Sequence, residues 1–518
     1  MASSGHGVWR PVAQNVEFDA LESNCNAVLA VAETVRTTLG PKGLDKLLID
    51  QALNRHVTND GVTILLSLKT IHPVSRMIVE IAERQEEMVG DGTTTAVVMA
   101  AEMIKEGKKF VKEMGVHPSK IVEGIDSGVK YACKLLENEA KKISLNDVEL
   151  EHVVKTSLAS KLDGQKLAPL VISAIRSVGE NAIYDGKYDF MKAIIVIRKA
   201  NVQDSLVNGI VLERKRMDQE MPFEAKNAKI MICKLDLKPI KESWITGSSK
   251  YEDITTMESD KLKKSKEIVN EILSTGANVL LIASPEVDQF IENLLISNNV
   301  LAVRISEDEI DQLTRYTGAK PVRMMDDLKQ PNILGRADRI YENEDQGLVY
   351  IESGSGKNII TIIVSGATKE TSLERWRAAK DGVNAAEAAL NKGVVAGGGA
   401  AELHLIKKVK DLRLKGLESV GLDVVMVALE SIMRQILTNA GFNGLEKVME
   451  AKASPEGYGI DVDSGEPINM WEKGILDPLL VKTTALEAAG EISKSVLRID
   501  KNLAAEELNA QAVYEAKR

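Results

Sequence analysis

The chain has 518 residues, of which 44% are hydrophobic and 27% charged, a balance typical of a soluble globular protein with several domains. Its net charge of −10 argues against a nucleic-acid binder, which would need clustered Lys and Arg to contact the phosphate backbone. No run of about 18 apolar residues occurs, so no membrane span is predicted. The N-terminal stretch lacks the apolar core of a signal peptide, which predicts a cytoplasmic location.

The cysteines give no sign of a disulfide framework or a zinc site. Cys25, Cys133 and Cys233 lie far apart, are odd in number and form no CxxC pair. The six histidines are equally scattered.

Residues 19–142 have the pattern of a helical region. Asp19 and Glu22 form a start that resembles a capping box, and Gly40-Pro41 ends the first helix. Between them apolar residues recur at helical spacing, namely Leu21, Cys25, Val28, Ala32 and Val35. A later stretch, from Thr93 to Glu106, predicts a second helix that Gly107 closes.

From about residue 208 to 363 the pattern changes to short apolar runs separated by helical stretches. The runs are KIMICKLDL (229–237), NVLLIAS (278–284) and NVLAVRIS (299–306). Such runs predict an α/β unit with a parallel sheet. Within this region the polar segment 241–264 has no strand pattern. It is either a protruding surface excursion or a solvated loop.

Beyond residue 382 the chain returns to Ala-rich helical patterns, at 383–393 and 422–441. The simplest architecture that explains this order is an α/β domain inserted into a helical one. Both ends of the chain then belong to the helical domain.

Asp-Gly occurs five times, and two of these pairs share a longer pattern. Asp60-Gly61 and Asp91-Gly92 each precede a Thr and an apolar run, in TNDGVTIL and VGDGTTTA. Asp carboxylates are ligands for Mg²⁺, and glycine lets backbone amides approach a phosphate at a helix N-terminus. The alternative is that both aspartates only form turns or cap helices, as Asp-Gly often does. Asp163 and Asp185 are predicted to be turn residues.

Two glycine-rich turns, TLGPKG (38–43) and AGGGAAE (396–402), adjoin predicted helices and would offer amides to an anion. The sequence has neither G-x-x-x-x-G-K-[ST] nor a G-x-G-x-x-G after a strand, which disfavours P-loop ATPases and Rossmann dehydrogenases. A nucleoside triphosphate would have to be held by a different set of helix starts and acidic turns.

These motifs together resemble those of the chaperonins. The stretches that carry the resemblance are TLGPKGLDKLL, VTNDGVTIL, VGDGTTTAVV, AAKDGVNAAEAAL, VVAGGGAAE and GILDPLLVKTTAL. Their order and spacing match that family over essentially the whole chain. The segment 241–264 falls where group II chaperonins, the thermosome and the eukaryotic cytosolic ring complex, carry a helical protrusion. SLASK (157–161) and NAG (439–441) also resemble group II.

The resemblance implies an α+β multidomain chaperonin fold with three domains. A helical equatorial ATP-binding domain would comprise 1–142 and 396–518, and a small intermediate domain 143–208 and 364–395. An α/β apical domain would comprise 209–363, with a lid protrusion at about 241–265. Gly209 and Gly366 would be hinges between domains, or else ordinary turn glycines.

The resemblance also implies roles for individual residues toward ATP and Mg²⁺. Asp91 would bind the metal, Ser160 and Lys161 would sense the γ-phosphate, and Asp60 and Asp381 would position the attacking water. The residues expected at the phosphates are Leu39, Gly40, Pro41, Gly92, Thr93, Thr94 and Thr95. Those expected at the ribose and base are Gly397, Gly398 and Asp477.

Asp381 is the better candidate for the general base. It is expected to begin a helical stretch, in a segment separate from Asp91, and to swing in when the intermediate domain closes. The alternatives are that Asp381 is a surface helix residue and Lys161 a solvated lysine.

The implied function is that of an ATP-dependent chaperone subunit. Stacked double rings of identical or homologous subunits would bind unfolded polypeptides and enclose them under built-in lids. No separate lid co-chaperonin, nucleic acid or membrane partner is expected. One alternative is a structural or filament-forming relative that has lost its ATPase activity. The other is a small-molecule kinase, which is disfavoured because no second substrate signature occurs.

Three features depart from the family pattern. The segment after NGIVLERKRMDQEMP (208–222) differs from the expected form, and the sequence stops at YEAKR without a Gly/Met-rich tail. The segment 241–264 matches the family in position more than in sequence. These features are compatible with a divergent branch of group II, including one carried by a bacterium.

Overall fold

The protein is described here by a computed structural model. It describes residues 9–11, 20–49, 53, 55–68, 70, 72–200, 202–238, 251–284 and 286–505. The chain divides into two compact units. Unit 1 comprises Met1–Ala168 and Lys380–Arg518, and unit 2 comprises Pro169–Ala379. The inserted arrangement agrees with the prediction from sequence, because both ends of the chain belong to unit 1.

The α-helices of the described residues are α1 (Ala20–Arg36), α2 (Gly61–Ser67), α3 (Pro73–Val89), α4 (Thr93–Met114), α5 (Pro118–Glu139), α6 (Val148–Ser157), α7 (Gly164–Val178), α8 (Tyr251–Ser274), α9 (Gln289–Ser297), α10 (Glu309–Thr317), α11 (Lys369–Lys392), α12 (Ala400–Val409), α13 (Ser419–Asn439), α14 (Gly444–Ala453), α15 (Met470–Lys473) and α16 (Leu479–Leu497). Short 3₁₀ turns occur at Gly179–Ala182, Phe190–Lys192, Met325–Lys329 and Gly416–Glu418.

The strands are β1 (Trp9–Pro11), β2 (Lys46–Ile49), β3 (Arg55–Thr58), β4 (Ile183–Tyr184), β5 (Lys187–Tyr188), β6 (Ile194–Arg198), β7 (Ser205–Val207), β8 (Gly209–Leu212), β9 (Glu224–Cys233), β10 (Val279–Ile282), β11 (Leu301–Arg304), β12 (Gly335–Asn343), β13 (Leu348–Gly354), β14 (Ile360–Val364), β15 (Val394–Ala396), β16 (Tyr458–Ile460), β17 (Pro467–Asn469), β18 (Leu476–Pro478) and β19 (Leu503–Ala505).

Unit 1 is built around α4, which packs against α1, α3, α13 and α16. Residues 96–104 of α4 are buried without interruption, as expected for a helix that neighbours surround on all sides. The apolar positions predicted for α1 are all buried in the same core. Asp19, the predicted capping residue, lies outside the described residues.

Two close helix contacts in unit 1 depend on glycine. The predicted end of α4 at Gly107 is wrong, since the helix continues to Met114 and is closed by Gly115. Gly107 is instead where α16 approaches, because a Cβ at this position would lie 2.5 Å from Leu497 Cδ1. On α5, a Cβ at Gly124 would lie 2.1 Å from the carbonyl oxygen of Glu418, just before α13. Small residues therefore set how closely these helices pack.

Unit 2 contains a six-stranded sheet in the order β11-β10-β9-β12-β13-β8. The three predicted runs form β9, β10 and β11, which pair in parallel as expected. The parallel pairing is limited to these three strands, because β12, β13 and β8 continue the sheet antiparallel. A second sheet has the order β6-β14-β7.

Both faces of the six-stranded sheet are covered, which explains the unbroken apolar runs in its sequence. Ile230 and Ile232 of β9 belong to one buried cluster, whereas Met231 and Cys233 belong to a cluster on the opposite face. Helix α8 contributes Val269 and Ile272 to that second cluster.

The predicted excursion at 241–264 is helical where it is described. Residues 251–264 belong to α8, and residues 241–250 lie outside the described residues. The three-domain division remains a prediction; within the two compact units, 143–168 and 380–395 belong to unit 1.

Cys25, Cys133 and Cys233 are buried and unpaired. Asp163 and Asp185 have positive φ angles of 55° and 51°, in keeping with their prediction as turn residues. In the part of the chain that the structure describes, no helix is both long and apolar enough to cross a membrane.

Candidate functional site

A cavity of about 610 Å³ in unit 1 collects nearly all the residues that the sequence singled out. Those that line it are Leu39, Gly40, Pro41, Asp60, Asp91, Gly92, Thr93, Thr94, Thr95, Ser160, Lys161, Asp381, Gly398 and Asp477. Gly397 is not among the lining residues. Its N–H donates to the Ile475 carbonyl at 2.9 Å, and a Cβ there would lie 3.0 Å from that same oxygen. Gly397 therefore allows two chain segments to approach each other behind the cavity wall.

The N-terminus of α4 forms part of the cavity wall. The first backbone hydrogen bond of this helix runs from Ala96 to Gly92, so the amides of the three threonines have no acceptor within the helix. These amides, together with the helix dipole, favour an anion. The start of α2 lies directly against them, since a Cβ on Gly61 would stand 2.5 Å from Thr94 Oγ1.

Asp91 does not cap α4, which corrects the capping alternative. The N-cap position is Gly92, with φ +79° and no side-chain capping bond. Asp91 Oδ1 accepts the Gly92 N–H at 2.6 Å, and Oδ2 accepts the Ser157 hydroxyl at 3.2 Å. Burial raises the pKa of Asp91 although Lys161 and the Gly92 N–H act to lower it. A carboxylate held in this way and destabilised by burial is well suited to a cation.

Asp60 combines capping with a place in the cavity wall. It is the N-cap of α2, and its Oδ2 accepts the Thr63 N–H at 3.2 Å and the Thr63 hydroxyl. Oδ1 has no hydrogen-bond partner among the described residues. The capping role that the sequence left as an alternative is therefore real, and it leaves one oxygen for a ligand.

Lys161 and Asp381 form an ion pair at the wall of the cavity. Lys161 Nζ lies 2.8 Å from Asp381 Oδ2, and the two side chains are only 16% and 14% exposed. Burial opposes the charge on Lys161, but Asp381, Asp60 and Asp91 together raise its pKa. Burial raises the pKa of Asp381 to about 7, opposed by Lys161 and reinforced by Asp91 and Asp60.

The expectation that Asp381 begins a helix is wrong. Asp381 lies in the middle of α11, and it lines the cavity together with Asp91 in unit 1. Asp381 thus faces Asp91 without any further movement of the chain. Neither Asp381 nor Lys161 is a solvated surface residue.

A further carboxylate, Glu86, also lines the cavity and was missed from sequence. Burial raises its pKa, and the negative charges of Asp60 and Asp91 add to that effect. Its position four residues before Gly90, near the end of α3, is the only sequence signal that it carries.

The SLASK segment is tied to both Asp-Gly turns. Besides the contact between Ser157 and Asp91, the Asn59 side-chain amide donates to the Ser160 carbonyl at 2.6 Å. Neither Ser157 nor Asn59 was predicted from sequence, although each lies within one of the motifs that resemble the family. The contacts hold Lys161 beside the two aspartates.

Asn439, from the NAG motif, holds the LGP turn in place. Its side-chain amide donates to the carbonyls of Arg36 and Leu39, at 2.9 and 2.8 Å. Gly40 adopts φ +87°, a conformation that favours glycine. The turn is therefore fixed by a side chain from α13.

The cavity wall also combines apolar side chains with an acidic edge. The apolar lining residues are Ile432, Met433, Ile436, Leu437, Ile460 and Met470. Strands β15 and β18 pair beside them, with Val395 opposite Asp477. Asp477 Oδ2 lies 2.7 Å from Lys482 Nζ, and Lys482 in turn lies 2.6 Å from Glu402 Oε1. Lys482 and Glu402 were also missed from sequence.

The arrangement suits a ligand that combines an apolar ring with an anionic group. In the described ranges no three His, Cys, Asp or Glu side chains are grouped so that they could hold a metal ion. The carboxylates of Asp91 and Asp60 are hard oxygen donors of the kind that Mg²⁺ prefers. Mg²⁺ is commonly bound by one or two carboxylates with the rest of its ligands from phosphate and water, and this donor set fits that mode.

Comparisons with known proteins agree with these features. The profile of the TCP-1/cpn60 chaperonin family matches residues 31–507. A thermosome subunit of Methanocaldococcus jannaschii is 35% identical over 521 residues, covering 96% of this chain and 94% of that protein. The thermosome subunit beta of Aeropyrum pernix is 34% identical over 503 residues, covering 93% of this chain and 91% of that protein.

The fold is similar to that in a crystal structure of a group III chaperonin in the open state. The TM-score is 0.79 at 29% sequence identity, and the match covers 93% of this chain and 98% of that chain. The match extends over both units of the fold, as the six motifs predicted. The chain therefore belongs to the TCP-1/cpn60 chaperonin family.

Proposed function

We propose that the cavity of unit 1 binds and hydrolyses Mg-ATP, and that this reaction drives a protein-folding cycle. The observation that carries the proposal is the convergence of Asp60, Asp91 and Asp381 with Lys161 at the open N-terminus of α4. Phosphoryl transfer needs charge neutralisation and a positioned nucleophile, and little covalent chemistry from the protein. This set of side chains can provide both.

In the proposed reaction the α4 amides and the LGP turn hold the phosphates. Asp91 would hold Mg²⁺, which would neutralise phosphate charge. Lys161 contacts the terminal phosphate and leaves its ion pair with Asp381 to do so. Asp381, assisted by Asp60, orients a water molecule and accepts its proton.

The elevated pKa of Asp381 supports the role of general base. A carboxylate with a pKa of about 7 is a stronger base than one with the ordinary value and is still half ionised at neutral pH. Burial causes most of the rise in the pKa of Asp381, so the burial that excludes water also makes Asp381 a stronger base.

We further propose that the subunit assembles into stacked rings and acts on unfolded polypeptides in the cytoplasm. The name of the relatives, thermosome subunit, supports assembly. So does the β2–β3 hairpin, which exposes Leu47, Ile49 and Val57 to solvent. Such apolar surface on a two-stranded hairpin favours pairing with another chain. The equatorial, intermediate and apical division, with a lid near 241–265, belongs to the same proposal, as does the absence of a separate lid protein.

Substitution of Asp381 by Asn tests the hydrolytic role. We expect D381N to bind Mg-ATP while turnover falls at least ~100-fold, because a general base contributes about that much. The matched control is D185N, which alters another Asp-Gly turn outside the cavity and should leave phosphate release unchanged. Near-normal turnover by D381N would remove Asp381 from catalysis. Absence of ATP binding by the unmodified protein would refute the proposal as a whole.

A further inference from the structure

Helix α11 packs very closely against the turn that carries Asp91. A Cβ at Gly90 would lie 1.9 Å from Asn384 Nδ2, 2.6 Å from its Cγ and 2.9 Å from its Cβ. These distances are all shorter than van der Waals contact, so the side chain of Asn384 occupies the space that a side chain at position 90 would need. One turn further along α11, Ala388 packs with Val89 in a small buried cluster. The end of α3 and the middle of α11 therefore contact each other at two successive positions.

The same face of α11 carries Asp381. Asp381, Asn384 and Ala388 are spaced i, i+3 and i+7, so their side chains lie on one face of the helix. Asn384 contacts the residue directly before Asp91, and Asp381 lies about one helical turn from that contact. How closely Asn384 packs at Gly90 therefore sets how far Asp381 lies from Asp91.

The turn itself has little room to move away from α11. Gln85 is fully buried, and its side-chain amide donates to the Asp91 carbonyl at 2.8 Å. A Cβ at Gly92 would lie 2.5 Å from Val481 Cγ1, so the turn also packs against α16. A side chain at position 90 would therefore displace α11 and not the turn. The contact between the two Cβ atoms alone would require a shift of about 0.6 Å, from 2.9 Å to the ~3.5 Å of ordinary carbon contact.

Backbone conformation is a simpler explanation for a glycine at this position. Gly90 ends α3 with φ 70° and ψ 16°, in the left-handed region that favours glycine. Gly115 ends α4 in nearly the same conformation, with φ 66° and ψ 20°, and a Cβ there would have nothing within 4 Å. The two glycines share the backbone requirement, and they differ in that Asn384 occupies the space beside Gly90. A variant at each position therefore separates packing from backbone conformation.

We propose that Gly90 and Asn384 are a positioning pair for ATP hydrolysis: the missing side chain at Gly90 admits Asn384 and thereby holds Asp381 in place opposite Asp91. This inference rests on the proposed hydrolysis of ATP, and it adds two residues that act through Asp381. A displacement of ~1 Å at a catalytic group can cost about 100-fold in rate, so a shift of about half that size is expected to cost about tenfold.

The test measures kcat and KM for phosphate release, together with melting temperatures, for variants of the full chain. We expect G90A to lower kcat ~10-fold or more, whereas G115A, with the same backbone strain, should keep kcat within about twofold. KM for Mg-ATP should change less than about threefold in G90A, because Gln85 still holds the backbone of Asp91.

A second substitution should restore turnover if packing is the cause. In G90A/N384G all three atoms that meet the new Cβ are absent, so kcat should return toward the unmodified value. G90A/N384A retains the Cβ of residue 384 and should recover only in part. Glycine inside a helix lowers stability, so the N384G change should raise kcat and at the same time lower the melting temperature.

Recovery of turnover with loss of stability supports the proposal, because a merely structural role of Gly90 would make both fall together. A G90A variant with the kcat of G115A overturns it, and so does a G90A/N384G variant that stays as slow as G90A. If circular dichroism shows that G90A does not fold, a folded and active G90A/N384G supports the pair, and an unfolded or inactive one overturns it. These negative results leave the proposed ATPase intact. An unmodified protein that releases no phosphate refutes the proposed function, and the positioning pair with it.

Discussion

The pH dependence of ATP hydrolysis follows from the burial of Asp381. A general base works only when it is ionised, so the rate must rise as pH passes upward through its pKa. With a pKa of about 7, roughly a tenth of the carboxylates are ionised at pH 6 and roughly nine-tenths at pH 8. The value of kcat/KM, which refers to the free enzyme, should therefore rise about tenfold between these pH values. A base with the ordinary Asp pKa of 3.8 would give a flat profile over the same range.

The assay is steady-state phosphate release in buffers of constant ionic strength. Lys161→Met supplies the internal control, because Lys161 acts to lower the pKa of Asp381. Its removal should move the rising limb of the profile to higher pH, whatever it does to the absolute rate. Burial also raises the pKa of Asp91, so the contribution of Asp91 to the pH profile must be separated from that of Asp381. A tenfold increase in Mg²⁺ would shift a limb that Asp91 causes to lower pH, since metal and proton compete for that carboxylate. A limb due to Asp381 should shift much less, because Mg²⁺ on Asp91 affects Asp381 only through the charge of Asp91. A flat wild-type profile between pH 6 and 8 would refute the reasoning.

Three further predictions concern the metal ligand, the helix core and the lid. Ser157→Ala removes one hydrogen bond to Asp91 and should weaken Mg-ATP binding about fivefold, because such a bond is worth about 1 kcal/mol. Ser157→Thr keeps the hydroxyl and should bind Mg-ATP with normal affinity. Equal affinities of the two variants, measured by calorimetry, would contradict this prediction. Gly124→Ala should destabilise the protein by roughly 1–3 kcal/mol, because its Cβ would meet backbone just before α13. In Gly128→Ala the Cβ would meet movable side chains at 3.0 Å or more, so its melting temperature should fall less. Deleting residues 245–260 should leave ATPase activity intact but prevent enclosure of an unfolded polypeptide. A deletion variant that still shields the bound polypeptide from protease would refute the proposal of a built-in lid.

Local motifs predicted that helices occur around the site more reliably than they predicted where those helices begin and end. The start of α4 at Thr93 was predicted, because an Asp-Gly pair directly before an apolar run is typical of a helix start. The end of α4 was misplaced, since Gly107 inside a helix resembles a stop signal when its packing partner is unknown. Asp381 was misplaced for a similar reason: an Asp-Gly pair suggests a turn, but within α11 it is surrounded by helix-forming residues.

The residues missed from sequence act through contacts that are distant along the chain. Ser157 contacts Asp91 across 66 positions, and Asn439 contacts the LGP turn across 400. Lys482 resembles any lysine in an amphipathic helix until α16 is placed against α12. Neither hydrophobic periodicity nor motif spacing predicts these contacts, because the contacts depend on how helices pack and not on local propensity.

The sequence by itself determined the family, the inserted order of helical and α/β regions, and the residue types available for phosphate and metal chemistry. These follow from composition, spacing and local backbone preference, which are properties of short segments. Only the tertiary structure decided that Lys161 pairs with Asp381, that Asp91 is held by Ser157 and not used as a cap, and that Lys482 pairs with Asp477. The physical reason is that charge, burial and hydrogen bonding at a site depend on which segments fold against one another. Burial alone accounts for most of the raised pKa of Asp381, and burial is not a property of any segment taken separately.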